Sequence, residues 1–174
     1  MKLYLIRHGE TTYNRDGLIQ GWVDSQLTAK GQHQAEQVAI ALLDKNIEVI
    51  FSSDLSRAYN TAKIISHKLN IPILQNWLLR ERSLGKLEKT LVCEVDWTKY
   101  NQNCIELIEK EIETPNSMVN RAQLFLDSLK HHPKEFENAV VVTHGGMLTA
   151  FKRCFNPDQK FEEFKNTEIV ELEF

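Results

Sequence analysis

Two apolar runs of strand-forming residues, Leu3-Tyr4-Leu5-Ile6 near one end and Ala139-Val140-Val141-Val142 near the other, break off at polar residues carrying histidine and glycine. The first gives way to Arg7-His8-Gly9-Glu10-Thr11, the second to Thr143-His144-Gly145-Gly146. A strand buried on both faces needs such an unbroken apolar run. An abrupt change to reactive polar groups is how that strand ends where a parallel sheet carries a site at its C-terminal edge. A bare Arg-His-Gly recurs by chance, so its weight depends on what the remaining chain supplies.

Between the two runs the chain alternates strand and helix patterns. Residues 14–26, with Gly17 and Gly21, read as a polar loop. Thr28 then caps a helix whose apolar stripe is Ala35, Val38, Ala39, Leu42 and Leu43. Residues 48–53 form a second buried strand. Ser53 or Asp54 caps the next helix, which has Arg57 in its first turn and Leu55, Ala58, Tyr59, Ala62, Ile65 and Leu69 as its stripe. Asn70-Ile71-Pro72-Ile73-Leu74 is a third strand, with Pro72 favouring an edge or a strand start. This order implies right-handed crossovers and an α/β fold, a three-layer sandwich with a mostly parallel central sheet and helices on both faces.

One domain over residues 1–174 is expected. A short helical cap insertion falls at about 82–116, with a helix through Trp97, Tyr100, Cys104 and Leu107 or Ile108. The charged run 109–113 reads as a solvated face. Pro115 breaks the chain, and Met118, Ala122, Phe125, Leu126 and Leu129 mark a helix that stops at His131-His132-Pro133. Met147, Leu148, Phe151 and Phe155 mark another helix, and the alternation in 167–174 marks a final edge strand.

The formal net charge of −3 argues against general affinity for nucleic acid or anionic membrane. Cys93, Cys104 and Cys154 are odd in number and in no CxxC spacing, which speaks against a disulfide framework or a zinc site. The run before Arg7 is too short for a signal peptide, and no stretch is long enough to span a bilayer. A cytoplasmic enzyme or binding domain is the expectation.

Arg7, His8, Arg57 and His144 all fall at expected C-terminal ends of strands, which line a common crevice. With helix-start amides near Gly145 they form an anion-seeking pocket, since guanidinium forks match phosphate oxygens. The chain has neither a GxxxxGK[ST] loop nor the carboxylate clusters of a magnesium phosphatase.

These residues carry a resemblance. Leu5-Ile6-Arg7-His8-Gly9-Glu10-Thr11 with Asn14 is similar to the signature of the histidine phosphatase superfamily, the phosphoglycerate mutase-like proteins. The similarity continues through Gln20-Gly21-Trp22-Val23-Asp24, Leu27-Thr28-Ala29-Lys30-Gly31-Gln32, Ser52-Ser53-Asp54-Leu55-Ser56-Arg57-Ala58, Leu79-Arg80-Glu81 and Val142-Thr143-His144-Gly145-Gly146. The resemblance implies His8 as nucleophile, with Arg7, Arg57 and His144 clamping the phosphoryl oxygens. It implies Asn14 as a further phosphate contact and Glu81 as the proton donor to the leaving oxygen. Thr11, Gln20 and Gly21 match positions facing the substrate beyond the phosphate.

No metal and no cofactor is expected, so positioned charge must supply the catalysis, the arginines together with a protonated histidine. Read singly, Arg57 is a surface arginine near a helix start, and Glu81 between Arg80 and Arg82 is a member of an ion pair. Trp22, beside Gly21, is placed to line the pocket mouth. Members commonly carry Gly-x-Trp-Glu-Gly after the acid, where this chain has Gly85-Lys86-Leu87-Glu88-Lys89. Many carry Gly-Glu-Ser where it has Pro115-Asn116-Ser117, without an acid. The expected function is hydrolysis of a small phosphorylated metabolite through a phosphohistidine on His8, by a monomer or homodimer without nucleic-acid or membrane partners. A cofactor-dependent mutase, a phosphoprotein phosphatase and a non-catalytic phosphate-ligand module are the rivals.

Overall fold

The computed structural model describes residues 1–100, 105–132 and 136–173; Cys104, Pro133 and Phe174 lie outside them. The elements run β1 (Lys2–Arg7), α1 (Thr12–Arg15), α2 (Ala29–Ala41), β2 (Val49–Ser52), α3 (Ser56–Leu69), β3 (Ile73–Gln75), α4 (Ile105–Glu109), α5 (Pro115–Lys130), β4 (Asn138–Thr143), α6 (Gly145–Phe155) and β5 (Ile169–Glu173). The sheet order is β3-β2-β4-β1-β5. All neighbours are parallel except β5, which runs antiparallel to β1 along one edge.

Strand side chains alternate between faces, and both faces are covered. Leu3, Leu5, Val49, Phe51 and Val141 face α5 and α6, packing with Phe125, Leu126, Met147 and Phe151. Tyr4, Ile6, Ile50, Val140 and Val142 face α2 and α3, packing with Val38, Ala39, Ala62 and Ile65. This is the expected three-layer sandwich. Adjacent strands β1 and β4 are followed by helices on opposite faces, α2 below one and α6 above the other, so a crevice opens between their C-terminal ends. Among the described residues no helix is long and apolar enough to cross a membrane.

Several local expectations are corrected. Asn14 lies in the short helix α1 rather than in loop, because Thr11 and Asn14 form a reciprocal capping box. Helix α2 stops at Ala41, which puts Leu43 in a 3₁₀ turn with 52% of its surface exposed. Phe155, at the last position of α6, is likewise exposed. Neither Ser53 nor Asp54 is the N-cap of α3, a position held by Leu55. Asp54 is drawn away by Arg80, which donates two hydrogen bonds to its carboxylate at 2.8 and 2.6 Å. Pro115 starts a helix rather than only breaking one, occupying the first turn after the Thr114 cap, where its missing N–H costs nothing.

Across the segment expected to be a cap, the described residues form 3₁₀ turns at Gly85–Leu87, Val92–Glu94 and Trp97–Lys99 and the five-residue α4, so Trp97 lies in a 3₁₀ turn rather than in the expected helix. The segment's small core unites Leu84, Leu87, Tyr100, Leu107 and Ile112 with Ile19 of the loop after α1. Ile112 is therefore buried within the run expected to be a solvated face, while Ile108 points out.

The loop leaving β1 sits hard against the first turn of α2. A Cβ on Gly31 would lie 2.0 Å from the Glu10 carbonyl oxygen, and one on Gly9 would lie 2.5 Å from that of Gly31. Gly31→Ala gains helix propensity of roughly 1 kcal/mol. It also forces backbone apart, at roughly 1–3 kcal/mol or more, so net destabilisation is expected as a lowered urea midpoint. An unchanged or raised midpoint would contradict the close approach.

Candidate active site

The ladder between β1 and β4 continues one residue past the strands, with His8 N–H donating to the Thr143 carbonyl at 2.9 Å. This brings His8 and His144 together at the crevice floor, ring centroids 5.2 Å apart, both almost fully buried. The Gly9 N–H donates to Thr61 Oγ1 of α3 at 3.0 Å. His8 Nδ1 lies 2.8 Å from the Gly9 carbonyl. A carbonyl only accepts, so Nδ1 carries the proton and the Nε2 lone pair is left available.

Arg57 rises from the first turn of α3 and has no exposed surface. Its Nη2 donates to the Gly21 carbonyl at 2.6 Å and its Nη1 to that of Val23 at 3.0 Å, with the half-exposed Asp24 carboxylate 3.8 Å away. Arg7 donates to the Phe164 carbonyl. Its own backbone is pinned by residues 167 and 168, which extend the antiparallel pairing of β5. Burial lowers both guanidinium values, that of Arg57 to about 10, while the Glu81 charge opposes the shift. Both stay charged at neutral pH. The buried Nε–H groups of Arg7 and Arg57 and Nδ1 of His144 have no acceptor or donor among the described residues. The other nitrogen of His144, Nε2, is 2.9 Å from Ser53 Oγ.

Glu81 follows the 3₁₀ turn Trp77–Leu79, which Thr143 Oγ1 holds through the Leu79 carbonyl at 2.8 Å. Its Oε2 accepts from the Gly146 N–H at 3.1 Å and its Oε1 from the Arg82 N–H at 2.8 Å. A Cβ on Gly146 would fall 2.3 Å from Oε1, so the second glycine after His144 makes room for this carboxylate. Gly145 begins α6 beside Arg7, whose Nε would lie 3.8 Å from a Cβ there.

The expected substrate-facing residues divide. Thr11 is fully buried as the cap of α1, and its hydroxyl lies 3.1 Å from Gln20 Oε1, which also accepts from Ser25 at 2.7 Å. Gly21, at φ 53°, gives its carbonyl to Arg57. Asn14 Oδ1 accepts from the Thr11 N–H and from Asn166 Nδ2, both at 3.2 Å. Asn166 also donates to the His8 carbonyl at 3.0 Å. Those donors take the amide oxygen of Asn14 and leave its NH₂ for a ligand. Asn166 stands alone in a loop more than 150 residues from its partners and carries no local signal in the sequence.

The two stretches that depart from the family pattern are well accommodated. Glu88 Oε1 accepts from the Trp22 N–H at 2.8 Å and the Leu84 N–H at 3.1 Å, while Lys89 takes the left-handed conformation at φ 71°. Ahead of α5 the acid is Glu113, which accepts from Ser117 Oγ at 2.9 Å.

Burial, followed by the charges of Arg57 and its neighbours, holds both His8 and His144 well below the ordinary histidine range, so the ligand-free site contains neutral imidazoles. The protonated histidine expected as a charge donor is therefore not found in the ligand-free site. A histidine lowered in the folded state binds its proton more tightly when unfolded. Its stabilising contribution is complete above about pH 6.5 and is lost as pH falls through the interval below. Urea unfolding should show stability declining between about pH 6.5 and 5, with the His8 and His144 rings still neutral by NMR at pH 6. Midpoints at or above the ordinary value for both rings would contradict the burial argument.

Comparison with known proteins identifies the family. A family model described as the histidine phosphatase superfamily (branch 1) matches residues 3–174. A Hydrogenobacter thermophilus protein whose name assigns it phosphoserine phosphatase activity is 34% identical over 155 residues, covering 86% of this chain and 75% of its own. An Escherichia coli protein named probable phosphoglycerate mutase GpmB is 36% identical over 151 residues, covering 83% and 70%. The structure of Bacillus stearothermophilus YhfR superposes with a TM-score of 0.84 at 28% identity, over 99% of this chain and 90% of that one. A mycobacterial glucosyl-3-phosphoglycerate phosphatase in complex with VO3 shares the fold, with a TM-score of 0.86 at 23% identity over 99% and 90% of the two chains. With its two strand-end histidines and the arginines Arg7 and Arg57 around one crevice, this chain belongs to the histidine phosphatase superfamily.

Proposed function

We propose that the chain hydrolyses a small phosphomonoester in two steps through a phosphohistidine on His8. The observation that carries the reading is the pairing of a neutral His8, its Nε2 lone pair free, with the guanidiniums of the partly buried Arg7 and the fully buried Arg57, both held by backbone carbonyls.

The entering dianion, a like charge beside the Glu81 carboxylate, drives uptake of a proton from solvent onto that carboxylate. In the first step Nε2 of His8 attacks phosphorus, the bond to the leaving oxygen breaks, and Glu81 delivers that proton to the leaving oxygen. In the second, water attacks phosphorus, its proton passes to Glu81, and the N–P electron pair returns to His8. Arg7 and Arg57 stabilise the equatorial oxygens, which carry the transition-state charge. The incoming dianion reverses the local charge balance and favours imidazolium on His144, adding a third positive donor. The NH₂ of Asn14 supplies a neutral one. Splitting the transfer lets one clamp serve both halves.

A mutase reading draws support from mutase names among the relatives and solved structures that resemble the chain. It requires the phosphohistidine to outlast exposure to water and to be returned to an acceptor hydroxyl. Incubating 3-phosphoglycerate with 2,3-bisphosphoglycerate separates the two. Phosphate release faster than isomerisation is expected, and the reverse order would establish the mutase.

Hydrolysis of p-nitrophenyl phosphate with EDTA present tests the main reading. Wild type should turn over, and His8→Ala should lose roughly 10³-fold or more. Turnover abolished by EDTA would overturn the metal-free chemistry. Absence of turnover on a panel of phosphorylated metabolites as well would leave a phosphate-binding module.

A further inference from the structure

Glu81 lies in an irregular stretch with no helix or strand to fix it, yet a proton donor must be held to within a fraction of an ångström. Its backbone is held from below by Arg121 of α5. The guanidinium has five N–H groups, and its contacts account for all of them. Nε and Nη2 grip the Glu113 carboxylate as a fork at 2.8 and 2.7 Å. Nη1 donates to the carbonyls of Leu78 at 2.7 Å and Arg80 at 2.9 Å, and Nη2 donates also to that of Glu81 at 3.2 Å. The Glu81 carbonyl takes its second hydrogen bond from Trp22 Nε1 at 2.6 Å. Arg121 is only 6% exposed.

Glu113 in turn fastens the cap to the same stretch. Its N–H donates to the Ser83 carbonyl at 2.9 Å, and its carbonyl accepts from Arg82 Nε at 2.7 Å. Its carboxylate accepts from the Ser83 N–H at 3.3 Å and from Ser117. Stability alone does not call for such a pair, since well-packed apolar residues of similar volume hold a fold as well or better. What apolar residues cannot supply is three directed hydrogen bonds to the carbonyls of Leu78, Arg80 and Glu81 itself.

We propose that Arg121, oriented by Glu113, is a positioning residue that sets the Glu81 carboxyl against the leaving oxygen. The inference rests on Glu81 as the proton donor, and a leaving-group comparison separates the two claims. p-Nitrophenolate departs without a proton, whereas the alkoxide of glycerol 2-phosphate needs one.

Glu81→Gln should slow glycerol 2-phosphate far more than p-nitrophenyl phosphate. Arg121→Lys, which keeps the charge but not the fork, should reproduce that bias. A loss of roughly tenfold or more in kcat on the alkyl ester is expected against less than about threefold on the aryl ester, with inorganic phosphate binding unchanged. The charge-neutral double variant Arg121→Gln with Glu113→Gln, verified as folded by circular dichroism, should show the same bias. Selectivity in Glu81→Gln with equal losses on both esters in the Arg121 variants would overturn the positioning role alone. Lack of selectivity in Glu81→Gln itself would remove the acid role, and the positioning role with it.

Discussion

Arg57 is a full positive charge with no exposed surface and no carboxylate in hydrogen-bond contact, and the rest of the site is arranged around keeping it there. Taking a guanidinium out of water is costly, and here the compensation is partial, from two carbonyls of the loop after α1 and the charges of Glu81, Asp24 and Glu88. Arg7 is held by the same device, through a carbonyl of the C-terminal segment. Backbone dipoles orient both cations without neutralising them. In the proposed reaction a dianion entering between them would complete their solvation. Burial, with the charges of Arg57 and Arg7 added to it, keeps His8 deprotonated.

The fold explains why these groups meet. The floor of the crevice is the junction of β1 and β4, from which α2 and α6 continue on opposite faces of the sheet. Two glycines in van der Waals conflict with any side chain let the His8 loop rest on α2, while Gly146 admits Glu81 to the start of α6. The acid's own segment has no regular structure. Trp22 from the loop that binds Arg57, Thr143 from the end of β4 and Arg121 from α5 each tie it down, so Glu81 and Arg57 share a scaffold.

The sheet, its two covered faces and the four residues at the strand ends were legible in the sequence because each rests on local information. An apolar run, a 3.6-residue stripe or a histidine at the end of a strand needs no knowledge of distant residues. Leu43 and Phe155 continued their stripes on paper but fall at or beyond helix ends, where the last turn no longer faces the sheet. Asp54 looked like a cap and is instead claimed by Arg80, more than twenty residues on. The run 109–113 has the composition of a solvated face, yet Ile112 fills the cap's core and Glu113 meets Arg121. Asn166 gave no signal at all. Its two hydrogen bonds orient the Asn14 amide and the His8 backbone across nearly the whole chain, and pairings of that separation leave no periodicity to read.

The central claim is a covalent bond between phosphorus and Nε2 of His8, and it can be seen directly. The protein is mixed with a turning-over phosphomonoester, quenched in alkali within milliseconds and digested for mass spectrometry. The account predicts an acid-labile, alkali-stable phosphate on the peptide containing His8, in amounts approaching one per site when the second step is slowed and absent from His8→Ala. Sustained hydrolysis with no phosphohistidine at any quench time, or with phosphate on His144 instead, would contradict it.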